Sequence, residues 1–147
     1  MTSGAHFSPP GNGEKATSEQ TEGRFALLDS SYPAGGGRVP PHVHHDADEG
    51  FYVLEGELTV WAGSETIAAP AGSSVLVPRG TVHSIGNTAD RDTRFLMFFA
   101  PGGMEGFFRE QADLEPGLFG RMDDPNVRRQ LDELAARYQM EWRDLPA

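Results

Sequence analysis

The sequence predicts an all-β domain, a sandwich or barrel of short strands that is followed by short helices. Its 147 residues suit a single domain with a core of ordinary size. The 18 glycines and 11 prolines exceed the ~12% that these two residue types usually contribute together. Many of them separate β-prone segments that recur every ~8–12 residues, the strand spacing of sandwiches and barrels. Beyond residue 103 the apolar pattern takes a helical period instead.

Residues 1–23 are predicted to be a disordered or extended tail. The segment is rich in glycine, proline, serine and threonine and has few apolar residues. Such a stretch does not bury enough surface to offset the entropy that is lost when it becomes ordered. We therefore expect it to be dispensable for folding. The barrel is then expected over residues 24–101, and a helical extension that packs on the barrel over residues 102–147.

The predicted barrel contains short strands punctuated by turns. Residues 51–54 and 58–61 lie on either side of Gly56, which predicts a strand, a tight hairpin turn with positive φ and a returning strand. In the last strand, alternation places either the Phe95, Met97 and Phe99 set or the residues Leu96 and Phe98 on the inward face, and both remain open. The other predicted strands begin near Arg24 and cover 67–69, 75–77, 82–85 and 94–100.

The C-terminal third is predicted to be helical. Residues 104–111 form one short candidate helix, and Asp124-Pro125 is a typical cap followed by proline at the first helical position. The residues that follow carry an apolar stripe at helical spacing, which predicts packing on the outside of the barrel or on a second subunit. The stripe consists of Val127, Leu131, Leu134, Ala135 and Tyr138.

Composition excludes several classes of function. Twelve lysines and arginines against 22 aspartates and glutamates give a net charge of −10, which argues against binding to nucleic acid or to anionic membranes. There is no cysteine, so a metal site must use nitrogen and oxygen ligands. The longest apolar run, residues 95–100, is too short to span a bilayer. No secretory signal is recognisable, and we expect a cytoplasmic protein.

A histidine cluster is the strongest chemical signal in the sequence. His42 and His44 are two residues apart on a predicted strand, so their side chains face the same way, ~6.5 Å apart. Glu49 follows at the start of the next strand, and His83 lies on a separate strand. Three imidazoles and one carboxylate suit one divalent ion of iron, manganese, nickel, cobalt, copper or zinc. An isolated H-x-H pair would be weak evidence on its own.

Two glycine-framed motifs surround these residues, and with them the sequence resembles the cupin superfamily. The first motif of that family is Gly, five residues, H-x-H, three or four residues, Glu, six residues, Gly. The second is Gly, five residues, P-x-G, two residues, His, three residues, Asn. Every position and spacing is met, by Gly36, His42, His44, Glu49 and Gly56 in the first motif and by Gly72, Pro78, Gly80, His83 and Asn87 in the second.

The resemblance implies a double-stranded β-helix, or jelly-roll, barrel in which His42, His44, Glu49 and His83 bind the metal ion. It extends beyond the motifs, because residues 98–110 and 134–142 are similar to the C-terminal extension of small single-domain bacterial cupins of the quercetin dioxygenase-like type. Homodimers are expected for such barrels, because pairing covers exposed strand edges. The strand near residues 24–32 and the C-terminal helices are the expected contributors.

Three functions are compatible with this site. The leading hypothesis is a dioxygenase for a small enolic or phenolic, flavonol-like or polyketide-like substrate, with dioxygen as co-substrate and Glu49 as the base. The second is a Lewis-acid isomerase, cyclase or lyase of secondary metabolism, and the third is a binding protein without turnover. The expected substrate pocket consists of Phe51, Val53, Trp61, Ile85, Phe95, Met97 and Phe99.

Overall fold

The computed structural model describes residues 4–146, and its strands all pair antiparallel. Its strands are β1 (Gly13–Ala16), β2 (Ala26–Tyr32), β3 (Gly37–Arg38), β4 (His42–His44), β5 (Asp48–Glu55), β6 (Glu57–Ala62), β7 (Glu65–Pro70), β8 (Ser74–Val77), β9 (His83–Asn87), β10 (Thr93–Ala100) and β11 (Met140–Trp142). Its helices are α1 (Ser18–Thr21), α2 (Met104–Ala112), a 3-10 helix (Leu118–Arg121) and α3 (Pro125–Ala136).

The strands form two sheets that enclose the core between them. The first sheet has the order β1-β2-β10-β5-β8, and the second has the order β11-β4-β9-β6-β7, with β3 paired to β9. Consecutive strands repeatedly change sheets, which winds the chain into a double-stranded β-helix. The all-β jelly-roll prediction is therefore confirmed, together with its short C-terminal helices.

Strand β10 settles which side of the last barrel strand faces inward. Phe95 and Phe99 are fully buried and Met97 is 6% exposed, whereas Phe98 is 41% exposed on the opposite face. The register explains this, because β10 lies between β2 and β5 in the first sheet and its odd-numbered residues point to the second sheet. Of the two alternatives, the Phe95, Met97 and Phe99 set is the inward one.

The turn at Gly56 joins two sheets, so the predicted hairpin is wrong. Strands β5 and β6 both form, but β5 pairs with β8 and β10, and β6 pairs with β7 and β9. Gly56 has φ +73°, and a Cβ there would lie 2.3 Å from the carbonyl oxygen of Asp92. A residue with a side chain would therefore be strained and would also collide with the chain that enters β10.

The N-terminal segment differs from the predicted tail. Strand β1 pairs antiparallel with β2, and α1 begins with a capping box in which Thr17 and Gln20 bond each other's backbone. The carboxylate of Glu105, 2% exposed, accepts hydrogen bonds from the Ser18 backbone and hydroxyl. The composition of the segment did not predict β1, because a four-residue strand draws its stability from its partner strand. Residues 1–3 of the predicted tail, like Ala147, lie outside the described residues.

The C-terminal helices follow the sequence pattern closely. Asp124 caps α3, its side-chain oxygen accepting the Asn126 backbone N–H at 2.9 Å, and Pro125 occupies the first turn. Within α3 the apolar stripe is buried within the chain, against β11, α2 and the 3-10 helix. Its last member, Tyr138, lies beyond the end of α3 and is half-buried. Of the two predicted packing modes, the stripe therefore uses the one within its own chain.

The surfaces expected to form a dimer are occupied within the chain. Strand β2 has β1 on one side and β10 on the other, so it offers no free edge. The stripe of α3 is covered as well. The homodimer remains a prediction. Among residues 4–146, no helix combines the length and the apolar character that crossing a bilayer requires.

Candidate metal centre

The four predicted ligands converge from both sheets. His42 and His44 lie on β4 with Val43 between them, so both imidazoles point to the same side. His83 begins β9 directly opposite His42, and Glu49 is the second residue of β5 in the other sheet. Strand β11 pairs with β4 on its other side and holds it in place.

The ligand atoms form a compact cluster. One ligand atom from each residue lies within 4.8 Å of the other three. Oε2 of Glu49 is 2.8 Å from Nε2 of His83 and 3.0 Å from Nε2 of His44. All four residues are buried, with exposed fractions between 1% for His83 and 8% for His42.

Backbone carbonyls fix the orientation of two of the imidazoles. Nδ1 of His42 is 2.9 Å from the Pro40 carbonyl oxygen, and Nδ1 of His83 is 2.9 Å from that of Thr81. When each Nδ1–H donates to its carbonyl, the Nε2 lone pair is left facing the cluster. This arrangement is typical of histidines that bind metals in proteins, where the second ring nitrogen is tied to an outer partner.

His44 provides the test of whether a metal ion fits. Its Nδ1 and Nε2 are the buried side-chain nitrogen and oxygen atoms without a hydrogen-bond partner in the described part of the chain. Nε2 lies 3.0 Å from Oε2 of Glu49 but makes no hydrogen bond to it. Leaving a buried polar atom without a hydrogen bond costs ~1–3 kcal/mol, so this nitrogen needs an explanation. A divalent ion between the four residues would satisfy it. The donor set of three nitrogens and one oxygen fits a first-row divalent metal.

The protonation states also favour cation binding. Burial would raise the pKa of Glu49, but its contacts with His44 and His83 outweigh burial and hold that pKa well below its usual range. Burial, reinforced by the neighbouring imidazoles, lowers the pKa of His42 to about 3. Burial opposes the charged form of His83 as well, yet the Glu49 carboxylate raises the pKa of His83. An ionised carboxylate and a neutral His42 are the forms that bind metals.

The cluster lies at one end of a cavity of about 60 Å³. Three predicted pocket residues, Ile85, Met97 and Phe99, line this cavity. Phe51, Val53 and Phe95 do not line it and instead fill the core between the sheets.

Trp61 is placed on the outer face of the second sheet, contrary to the pocket prediction. It is adjacent to the fully buried Val60, and strand alternation turns its ring outward. The Arg38 guanidinium lies 4.5 Å from the centre of that ring. His45 also faces away from the cluster, and its Nε2 is 3.1 Å from Oε2 of Glu141.

The C-terminal extension supplies cavity walls that were missing from the predicted pocket. The Trp142 ring packs edge-on against His42 at 5.7 Å, and its Nε1–H donates to the Leu131 carbonyl. The alternation of apolar, charged and apolar residues at Met140, Glu141 and Trp142 is the sequence signal that indicates this strand, and their burial alternates in the same way. Its pairing with β4 was not readable from the sequence. The cavity residues that the prediction missed in this region are Met104, Phe107, Phe108, Gln111, Phe119, Met140 and Trp142.

Comparison with known proteins agrees with this architecture. Residues 29–99 match the family described as the cupin domain. These residues belong to the cupin superfamily. This cupin is 35% identical over 98 residues to quercetin 2,3-dioxygenase of Bacillus subtilis (strain 168), a match that covers 67% of the chain and 28% of that enzyme. The chain therefore spans little more than a quarter of the length of that relative.

Solved structures support the same fold. A cupin protein from Bacteroides fragilis superposes with a TM-score of 0.59 at 20% identity, over 70% of this cupin and 88% of that chain. KdgF from Halomonas sp. superposes with a TM-score of 0.55 at 20% identity, over 63% and 78% of the two chains. At this level of identity the likeness shows a shared barrel and carries no information on substrate.

Proposed function

We propose that this cupin is a metal-dependent dioxygenase that acts on a small enolic or phenolic substrate. The observation that carries the proposal is the convergence of three imidazoles and one carboxylate at the end of an apolar cavity. The similarity to a quercetin 2,3-dioxygenase over 98 residues supports the same reaction class. An enol or phenol provides an acidic hydroxyl, which such a site can bind as its anion.

His42, His44, Glu49 and His83 would hold the ion. A divalent ion there would supply a Lewis acid for the substrate oxygen and a redox centre for dioxygen. Two of these residues, His42 and His83, are oriented by carbonyls before any ligand binds, which lowers the cost of forming the site.

Glu49 is placed to accept the hydroxyl proton of the substrate. Its carboxylate is ionised, 3% exposed, and shares the cavity with the imidazoles. General-base catalysis by a positioned carboxylate contributes ~10²–10⁴-fold to a rate. The walls around it are mainly aromatic and aliphatic. A substrate that fills the cavity would displace its water, so an anion that forms there would not be readily reprotonated by solvent.

An oxygen-uptake assay tests the proposal. Protein loaded separately with each candidate metal is mixed with flavonols and with cyclic diketones while oxygen and substrate are followed together. We expect equal molar loss of oxygen and substrate with at least one redox-active metal. Metal-dependent conversion without oxygen uptake would replace the dioxygenase with a Lewis-acid enzyme, and tight binding without conversion would leave a binding protein.

A further inference from the structure

A second, wider space at the protein surface adjoins the metal-side cavity and shares lining residues with it. This vestibule has a volume of about 590 Å³ and is bordered by β2, the Gly36–Pro40 segment and α2. The two spaces share a common boundary, which we call the neck. The neck consists of Tyr32, residues 39–40, Met97, Phe108, Gln111 and Phe119.

The two spaces differ about tenfold in volume, and a large substrate would have to occupy both of them. A cavity needs ~10–15 Å³ to hold one water molecule, so about 60 Å³ accommodates little more than a few waters or one small ring. Sites for drug-sized ligands occupy ~300–1,000 Å³. A multi-ring substrate whose reacting end lies at the histidine cluster must therefore extend through the neck into the vestibule.

The neck is largely aromatic and carries two polar groups. Tyr32, Phe108 and Phe119 present ring faces or edges, and Met97 adds a polarisable thioether, a combination that favours flat aromatic ligands. Neither the Tyr32 hydroxyl nor the Gln111 amide hydrogen-bonds to any residue between 4 and 146. The other neck residues carry apolar side chains.

The two polar groups have complementary hydrogen-bonding roles. Burial, with a smaller contribution from the Glu49 carboxylate, raises the pKa of Tyr32 to about 12, so its hydroxyl stays protonated and can donate. The Tyr32 ring is held against Phe95, with 5.4 Å between the ring centres. The amide of Gln111 lies near the C-terminal end of α2 and can both donate and accept.

We propose that the neck is a second binding subsite, in which Tyr32 and Gln111 select aromatic substrates that carry an oxygen outside the reacting ring. The hydroxyl of Tyr32 and the amide of Gln111 hydrogen-bond that outer oxygen, and the vestibule holds the ring that bears it. The inference rests on the proposed function in one respect, because it takes the reacting end to lie at the histidine cluster.

Calorimetric binding of two matched probes tests this subsite. Quercetin carries two hydroxyls on its outer phenyl ring, whereas 3,5,7-trihydroxyflavone lacks these two and keeps every other hydroxyl, including that of the reacting hydroxyketone. Binding is measured to metal-free protein and to protein loaded with zinc, which has no redox chemistry. We expect Gln111→Leu and Tyr32→Phe each to weaken quercetin binding by about 3- to 10-fold, the value of one net hydrogen bond, and to leave the binding of 3,5,7-trihydroxyflavone within twofold.

The controls are the same substitutions on exposed surfaces, Gln130→Leu on α3 and Tyr52→Phe on the outer face of the first sheet. Both should bind the two probes as the wild type does, and melting curves verify that all variants are folded. Equal weakening of both probes, no weakening of either, or a wild type that binds neither would overturn the subsite.

The experiments distinguish a failure of the proposed function from a failure of the subsite. Quercetin binding that depends on Gln111 and Tyr32, without oxygen uptake, would remove the dioxygenase and keep the subsite. Oxygen uptake by a wild type that does not distinguish the probes would remove the subsite alone.

Discussion

His42 and His44 contribute two of the four ligands from a strand of three residues, so removing both should abolish the metal site. We expect wild-type protein to contain about one divalent ion per chain and the His42→Ala/His44→Ala double variant to contain almost none. Elemental analysis after removal of any histidine tag provides the measurement. A double variant that keeps the wild-type metal content would contradict the assignment. A single variant is less decisive, because three ligands can retain part of the metal.

Glu49 has two roles that can be separated, as an anchor for the metal and as a base. Glu49→Gln keeps the shape and one carbonyl oxygen but loses the charge and the basic site. If Glu49 accepts the substrate proton, turnover per bound metal should fall by ~10²–10⁴-fold. Metal occupancy must be measured on the same sample. Unchanged turnover per metal would leave Glu49 as an anchor only.

Asp29 forms a two-point ion pair with Arg94 on the first sheet, at 2.7 and 3.0 Å. The hydrogen bond from Arg94, partly opposed by burial, lowers the pKa of Asp29 from 3.8. A lowered folded-state pKa stabilises the fold above the unfolded-state value, and this stabilisation is lost as the pH falls through the folded-state value.

We therefore expect Asp29→Asn to destabilise the protein by ~1–2 kcal/mol at pH 7. In urea unfolding, the difference in the free energy of unfolding between Asp29→Asn and wild type should become smaller below pH 3.8. Asp123→Asn, at an exposed aspartate, is the matched control and should stay within ~0.5 kcal/mol at every pH. If the difference in the free energy of unfolding between Asp29→Asn and wild type does not change with pH, the ion pair is excluded as the cause of the destabilisation.

At the scale of elements, β1 and α1 hold the barrel edge and the start of α2 together. The carboxylate of Glu105 accepts the Ser18 N–H at 2.6 Å and the Gly103 N–H at 2.6 Å. A chain that begins at Gly23 loses β1 and leaves this buried carboxylate with one backbone donor fewer. Composition predicted that the segment is dispensable for folding. The structure predicts instead that this shortened chain loses ~3 kcal/mol in its free energy of unfolding, which lowers its melting temperature by about 10 °C.

A chain that begins at Gly11 is the control, since it keeps β1 and α1. It should melt within ~2 °C of the full chain. If the chain that begins at Gly23 melts with it, the N-terminal segment is dispensable after all.

Strands and helices show which parts of this structure could be predicted from the sequence and which could not. Alternation and capping are local, so the strand of Phe95 and the cap at Asp124 were predictable from neighbouring residues. Strand alternation predicted that His42 and His44 share a face, and the resemblance to the two cupin motifs added Glu49 and His83 to the predicted ligand set. Pairings between distant segments leave no local signal. The change of sheet at Gly56 and the pairing of β11 with β4 were therefore not predictable.

For the whole molecule, the outer face of the first sheet offers a surface for self-association. Tyr52, Leu76 and Phe98 are 47%, 69% and 41% exposed on this face. We predict a homodimer that covers it, because exposed apolar surface of this kind is costly in water. Sedimentation should give twice the 16.0 kDa chain mass, and Leu76→Glu should give the single-chain mass. A wild type that sediments as a monomer would contradict the prediction, and a dimer that Leu76→Glu leaves intact would place the interface elsewhere.

The pairing of β11 with β4 has a consequence for the order of events during biosynthesis. Trp142, which packs on His42, follows it by roughly 100 residues. At ~5–20 residues per second, the ribosome delivers the strand of His42 and His44 ~5–20 s before the strand that closes over it. During that interval the two imidazoles are open to whatever cations the surroundings contain. The wall that Trp142 forms over His42 is therefore the last part of this enclosure to be synthesised.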